Sequence, residues 1–444
     1  MAAGELSGAP PLDLAVANEG NTVTLLANQG NGVFSRGGQI TINDRYTATA
    51  LVAGRFNADG IDDLAISADD LESVDFSGAI VVYRSTGAFK YSATATSVGI
   101  LPICLAYDDL TGEGIFDFAT CDSDDIGAGQ MSLVRGNASG TFAPAQGVPV
   151  GPIAPTALVP ADLDGDNRPD VVVLDRDANI AAILYGRGSN PVFDDPVTLA
   201  GIDSPIAAVV DFFNEDEALD IAVASRLEGR VHIFEQTGTR VFTETGSFEL
   251  GFLPSAMAAA DFNGDEKIDL VAANNGSSDV TLLLGNGDGT FRFGETVPVG
   301  DGPVAIIAND LNGDMKIDFA TANQDDQRFG VNMQSVTVVL NGVSPPFTPT
   351  NTPTVTRTPT NTKLPSNTPT ITRTPRRSPT PTRTGSPAPT VTPAGPADVN
   401  CDGFIDEQDV FTMVAGIFDP GAGCLMRAVS AASLIDEIKL IAAP

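Results

Sequence analysis

The 444-residue chain has no tryptophan, one histidine (His232) and only four cysteines. Each scarcity removes chemistry. His232 sits in Val231-His-Ile-Phe234, an apolar run in which it reads as a strand residue and not as a general base. The chain contains no Gly-x-Ser-x-Gly elbow, phosphate loop or thiolate motif, so an enzyme reading has little material to work with. Without tryptophan, and with five tyrosines, the flat aromatic platforms usual in sugar sites are scarce. Basic residues are few, 24 against 57 acids, and the formal net charge is −33. Such a surface disfavours nucleic acid and anionic membranes. No apolar run approaches the roughly 18 residues of a membrane-spanning helix. The opening Met1-Ala-Ala-Gly-Glu-Leu6 has neither the basic nor the apolar region of a signal peptide.

What the chain does have is an acidic loop that recurs about every fifty residues. The fullest copies are Asp162-Leu-Asp164-Gly-Asp166-Asn-Arg168-Pro-Asp170, Asp261-Phe-Asn263-Gly-Asp265-Glu-Lys267-Ile-Asp269 and Asp310-Leu-Asn312-Gly-Asp314-Met-Lys316-Ile-Asp318. Oxygens at positions 1, 3, 5 and 9 around a glycine turn can converge on one hard cation. Arg168, Lys267 and Lys316, at position 7, are counted in the sets. Flexible all-oxygen sites with several carboxylates suit Ca²⁺ better than Mg²⁺, which holds its waters and demands stricter geometry. The competing reading is a set of Asx turns that cap their own backbone. Carboxylates gathered so closely without a cation would repel one another, which favours the metal.

The closing aspartate falls at Asp13, Asp63, Asp117, Asp170, Asp220, Asp269 and Asp318, at intervals of 50, 54, 53, 50, 49 and 49 residues. After each marker comes an apolar run such as Asp269-Leu-Val-Ala-Ala-Asn274, then a second such as Val280-Thr-Leu-Leu-Leu284. A glycine turn ending in phenylalanine follows, as in Gly285-Asn-Gly-Asp-Gly-Thr-Phe291. A further run, for example Val304-Ala-Ile-Ile-Ala308, leads into the next loop. Short β-branched runs between Gly/Asn/Asp turns read as strands. Four strands per unit and seven units predict an all-β, seven-bladed β-propeller over residues 1–342. Burial of both faces of each blade accounts for runs that are continuously apolar. A solenoid with calcium turns would repeat at a much shorter period.

Gly54-Arg-Phe-Asn57-Ala-Asp59-Gly-Ile-Asp-Asp63-Leu-Ala-Ile66 and its sister copies resemble the FG-GAP/VCBS repeats of integrin α-subunit propellers and of many bacterial secreted proteins. The resemblance implies Ca²⁺ held between two strands of a blade; it does not imply one activity. Departures from the pattern rank the loops. Loop one, Glu5-Leu-Ser7-Gly-Ala9-Pro-Pro-Leu-Asp13, lacks its middle carboxylate, and loop two has Arg55 at position 1, where a guanidinium can stand in for the cation. Both are expected to hold no metal. Loop three (Asp109, Thr111, Glu113, Asp117) and loop five (Asn214, Asp216, Asp220, with Phe212 at position 1) are altered sites. The first repeat is expected to lack the strand before its loop, as though a signal peptide and one strand were missing from this chain. Loops of modest affinity need the Ca²⁺ found outside cells, so the expected location is secreted or cell-surface.

Cys104 and Cys121 flank loop three and face each other, and Cys401 and Cys424 lie together near the end. Two local disulfides fit an exported protein; buried free thiols are the alternative. Residues 343–397 form a Pro/Thr-rich linker, with Thr348-Pro-Thr-Asn-Thr-Pro-Thr354 typical of its units. This composition favours disordered, extended polyproline-II conformations and suits O-glycosylation. Residues 398–444 begin Asp398-Val-Asn400-Cys-Asp402-Gly-Phe404-Ile-Asp406-Glu-Gln-Asp409, followed by an apolar helical run. Oxygens at 1, 3, 5, 9 and 12, with the carbonyl of Phe404 at 7, match an EF-hand loop. Aspartate at 12 and a single following helix resemble a dockerin repeat, which implies a small α-helical module and a cohesin-like partner. The second copy, Ala428 to Lys439, lacks the ligands at 1, 5 and 12.

The leading functional reading is a calcium-binding, non-catalytic scaffold that binds an extracellular protein or cell-surface ligand. A carbohydrate-binding propeller is the alternative, with a glycan as ligand. A polysaccharide-acting enzyme comes last.

Overall fold

The computed structural model describes residues 1–352 apart from 19–20, 58, 71–76, 123–129, 138–139, 151–153, 188–191, 200, 325–334 and 343–347. Residues 353–444, including every expected ligand from Asp398 to Asp409 and the Cys401–Cys424 pair, lie outside the described residues.

Within the described part, strands form seven four-stranded antiparallel sheets, each a simple meander in chain order. The sheets start at Ala2, Tyr46, Ala106, Ala157, Pro205, Pro254 and Pro303, and each is one blade. First strands of successive blades contact one another between blades one and two and from blade three through blade seven. The seven-bladed propeller expected from the spacing is therefore the architecture, and the solenoid is not.

Alternation on the second strands explains how blades stack. In blade six, Leu270 and Ala272 pack with Phe213, Ala222 and Ile233 of blade five. Their neighbours Val271 and Ala273 point the other way and pack with Ile306, Phe319 and Val339 of blade seven. Every residue from Asp269 to Asn274 is buried, so the strand has no polar face to show in its sequence. Each large aliphatic side chain removed from water contributes roughly 1.5–3 kcal/mol. The ring closes in the same way: Leu14, Val16, Leu26 and Phe34 of blade one form a single cluster with Leu311, Ala320 and Val338 of blade seven.

Two expectations about the strands need correction. Blade one does have a strand before its loop: Ala2–Gly4 pairs with Ala15, Leu14 and Asp13. Alanine and glycine carry almost no hydrophobic pattern, which hid it. At the other end, the outer strand of blade seven is Thr348–Thr352, drawn from the segment assigned to the linker. Its proline is tolerated because this strand is an edge.

Cys104 and Cys121 form a disulfide, as their placement around loop three suggested. Cys121 is buried in the second strand of blade three. The bridge closes a 17-residue separation. Replacing both cysteines with serine should lower stability by about 2–4 kcal/mol, read from denaturant midpoints of oxidised and mutant protein. Identical midpoints would mean that the bridge constrains nothing.

Candidate metal centre

Loop six shows how the acidic template is built. Asp261 Oδ1 accepts the N–H of Gly264 (2.7 Å) and of Asp265 (3.2 Å), and its Oδ2 accepts that of Glu266 (2.8 Å). Asp265 Oδ1 accepts the N–H of Lys267 (3.1 Å). Gly264 and Glu266 both take the left-handed conformation, at φ 77° and 65°, which curls the chain around the Asp261 carboxylate. Loop seven repeats this with Asp310 capping Gly313, Asp314 and Met315, and Asp314 capping Lys316; Asn312 Oδ1 takes the N–H of Asp314. Loop four repeats it again with Asp162, Asp164 and Asp166.

These are the Asx turns of the competing reading, yet they do not exhaust the oxygens. A carboxylate oxygen holding one N–H keeps a second lone pair. In loop four, Asp162, Asp164 and Asp166 each place an oxygen within 4.8 Å of the others. The turns thus aim an all-oxygen set at one small volume, and that donor set fits a hard divalent cation.

The closing aspartates do something else. They are 0–1 % exposed, and all but Asp63, which takes the N–H of Ser85 and the side-chain amide of Asn57, receive two backbone N–H groups from different parts of the blade. Asp269 takes Phe262 (3.0 Å) from its own loop and Gly285 (2.8 Å) from the end of the third strand. Asp170 takes Leu163 and Gly186, Asp220 takes Phe213 and Gln236, and Asp318 takes Leu311 and Asn341. Asp117 and Asp13 are held in the same way. Burial pushes Asp63, Asp170, Asp220, Asp269 and Asp318 up to about 6, against the opposing pull of these N–H groups. Asp117 is raised for the same reason. Asp170 does not join the oxygen cluster of Asp162, Asp164 and Asp166.

The altered loops keep the frame and change its polar groups. In loop three, Asp109 caps Glu113 and Gly114, while the Thr111 hydroxyl lies 2.9 Å from both Asp117 and Glu113. In loop five, Asn214 caps Asp216 and Asp216 caps Ala218; Phe212, at position 1, is half exposed. Arg55 of loop two pairs with Glu5 of loop one (2.7 Å) and with Asp62 of its own loop (3.4 Å), so it links the two loops.

Sequence reasoning missed two kinds of residue. Arg240, from blade five, forms an ion pair with Asp164, and the side chain of Arg168, a residue counted above at position 7, pairs with Asp166. Asn28 and Gln236, in third strands, and Asn341, just after one, donate side-chain amides to the loop carbonyls of Leu311, Leu163 and Phe262 in the preceding blade. An amide residue placed 15 or 16 residues after the closing aspartates Asp13 and Asp220 was the available signal. His232 is a buried strand residue, with Nδ1 2.8 Å from Glu244 Oε1.

Fold and loops together define a seven-bladed propeller whose blades each open with an acidic hairpin. The sequence matches the FG-GAP-like repeat over residues 12–66, 109–173, 213–272 and 261–321, and the chain belongs to that family. No curated protein matches the sequence. Among solved structures, a periplasmic gluconolactonase of Pseudomonas aeruginosa is similar at 14 % identity and TM-score 0.52, covering 75 % of this chain and 92 % of that one. A candidate 6-phosphogluconolactonase of Bacteroides uniformis matches at 11 % identity and TM-score 0.55, covering 77 % and 95 %. A Desulfotomaculum acetoxidans protein of unknown function matches at 11 % and 0.51, covering 75 % and 93 %. At these identities the likeness carries the fold alone.

Two outcomes follow from the closing aspartates. Asp269→Ala would strand two buried N–H groups and cost on the order of 3 kcal/mol even in chelator, whereas Asp265→Ala in chelator should cost far less. Chemical denaturation of both variants checks this. Because folded-state values near 6 exceed the unfolded 3.8, the folded chain binds more protons between those limits. Stability of the metal-free chain should therefore rise as pH falls from about 7 toward 5, and be lost as pH rises through about 6. A melting midpoint that drops steadily as pH falls from about 7 to about 5 would contradict the burial account.

Proposed function

We propose that this chain is a calcium-stabilised, secreted or cell-surface propeller that serves as a protein-binding or adhesion scaffold. The shared backbone template of loops four, six and seven carries the reading. Three times it holds the side chains at positions 1 and 5 by the same N–H contacts, and in loop four the oxygens of positions 1, 3 and 5 converge. Ca²⁺ would be held by Asp162, Asp164 and Asp166; by Asp261, Asn263 and Asp265; and by Asp310, Asn312 and Asp314. Position-7 carbonyls would add to the shells, while Asp170, Asp269 and Asp318 stay bonded to backbone N–H groups. Loops three and five are weaker candidates, since the Thr111 hydroxyl is already engaged and Phe212 offers no oxygen. The tail would bind Ca²⁺ through Asp398, Asn400, Asp402, Asp406 and Asp409 and offer a surface to a cohesin-like partner.

The scaffold half of the reading draws on exposed apolar side chains set on turns. Leu227 and Phe252 border one shallow pocket, and Met315 lies at a groove of about 520 Å³ between loops six and seven. Adjacent exposed apolar groups mark contact surfaces where single ones do not, and Leu227 and Phe252 share one pocket. The disulfide favours an oxidising compartment.

Ca²⁺ is expected to raise the thermal midpoint, and Mg²⁺ at equal concentration to raise it much less. Each site at 100 times its Kd adds about 2.7 kcal/mol. Asp265→Ala and Asp314→Ala should each remove one bound ion by metal analysis, and Asp13→Ala none. Equal melting in Ca²⁺ and chelator would end the calcium reading. Calcium-dependent retention of a secreted protein, with no retention of glycans on an array, is the outcome expected of the scaffold; retention of glycans alone would replace it with the carbohydrate reading.

A further inference from the structure

Loop four carries the fullest acidic set, three aspartates where loops six and seven have an asparagine at position 3. It is also where cationic side chains of the chain itself reach the ligand positions. Arg240 lies in the turn between the third and outer strands of blade five (Arg230–Gly238 and Val241–Glu249). It extends back to blade four, where Nε and Nη2 stand 2.7 and 2.6 Å from Asp164 Oδ2. Its Nη1 stands 3.0 Å from Asp194 Oδ2, and the other oxygen of Asp194 takes Arg187 at 3.1 Å. The guanidinium also lies over the Tyr185 ring, 4.3 Å from its centroid.

A surface ion pair held at one point contributes little. Arg240 is held at three points, against an aspartate whose side chain is only 5 % exposed, and by a planar fork suited to two carboxylates. Arg168 pairs with Asp166 on the other side of the cluster. Loops six and seven have no such partner among the described residues: Lys267 donates instead to the carbonyl of Asn286 (2.6 Å), and no ion pair joins Lys316 to its loop.

We propose that Arg240 is the resident cation of loop four, so that this loop takes Ca²⁺ last of the three complete loops and only when Arg240 lets go of Asp164. The inference rests on the calcium reading above, and it reverses what ligand count alone implies. A guanidinium bonded to a ligand carboxylate competes for its charge and repels an arriving dication at short range. Filling loop four then undoes a clasp between blades four and five, which ties local flexibility to high calcium.

The test uses the full chain and Ca²⁺ alone, titrated by calorimetry with metal counted after dialysis. Arg240→Gln should tighten one site by at least about tenfold. Adding Asp164→Asn to that variant should abolish the gain, and Arg240→Lys should leave the site weak. Superimposable isotherms for Arg240→Gln and the native chain, with Asp265→Ala still removing an ion, would overturn the proposal while sparing the calcium reading. No binding by any loop would sink both. Should Arg240→Gln fail to fold, Asp164→Asn in the native chain decides: an unchanged number of tight sites supports the proposal, and loss of one overturns it.

Discussion

A buried carboxylate bonded to backbone N–H groups is the interaction on which each blade depends. The closing aspartate opens the second strand, and its oxygens reach into the acidic loop on one side and the end of the third strand on the other. Three segments that share no continuous hydrogen-bond ladder at that point are thereby fixed to one residue. Burying a charge without such partners would cost far more than the fold could recover. The raised aspartate values show the desolvation that the N–H groups only partly offset.

The same residues pass the constraint from blade to blade. Gln236 gives its backbone N–H to Asp220 and its side-chain amide to the Leu163 carbonyl of the preceding loop. The N–H of Leu163 is in turn held by Asp170. Asn28 makes the corresponding link from blade one to Leu311 of blade seven, so polar links as well as apolar packing close the ring. The side chain at position 2 of the loop is the wedge that accompanies them: Leu6, Phe56, Leu110, Leu163, Phe213, Phe262 and Leu311 are all buried. This pairing of one apolar wedge with one buried acid sets the loop length, since a shift of one residue would put either group in solvent.

The repeat was legible because that constraint is periodic. Seven markers at nearly equal spacing, each followed by strands buried on both faces, leave little architecture other than a propeller. What escaped notice lacked a periodic or hydrophobic signature. Ala2–Gly4 is a strand made by its neighbours' hydrogen bonds, with no pattern of its own. Thr348–Thr352 adds to an edge through backbone pairing despite a linker-like composition. The partners of Arg55 and Arg240 could not be read from spacing, because a long side chain chooses among acids brought near only by folding. The sequence reading treated position 9 as one more metal ligand; geometry shows its oxygens bonded first to the backbone.

That division of labour within nine residues explains the uneven loops. Positions 2 and 9 hold the blade, and positions 1, 3 and 5 gather oxygens at the surface. Loop one has lost its middle carboxylate and loop two carries Arg55, yet Asp13 and Asp63 remain buried and still bind backbone N–H groups. A blade can therefore lose its surface acids without losing its place in the ring. Once that freedom exists, the surface acids become available for other cations. Arg55 takes Glu5, and Arg240 takes Asp164 with Asp194. In a chain of formal net charge −33, repulsion among the loops acts on every blade at once. Arginines offset that repulsion where folding delivers them, at Glu5 and at Asp164, and among the described residues no arginine pairs with the acids of loops six and seven.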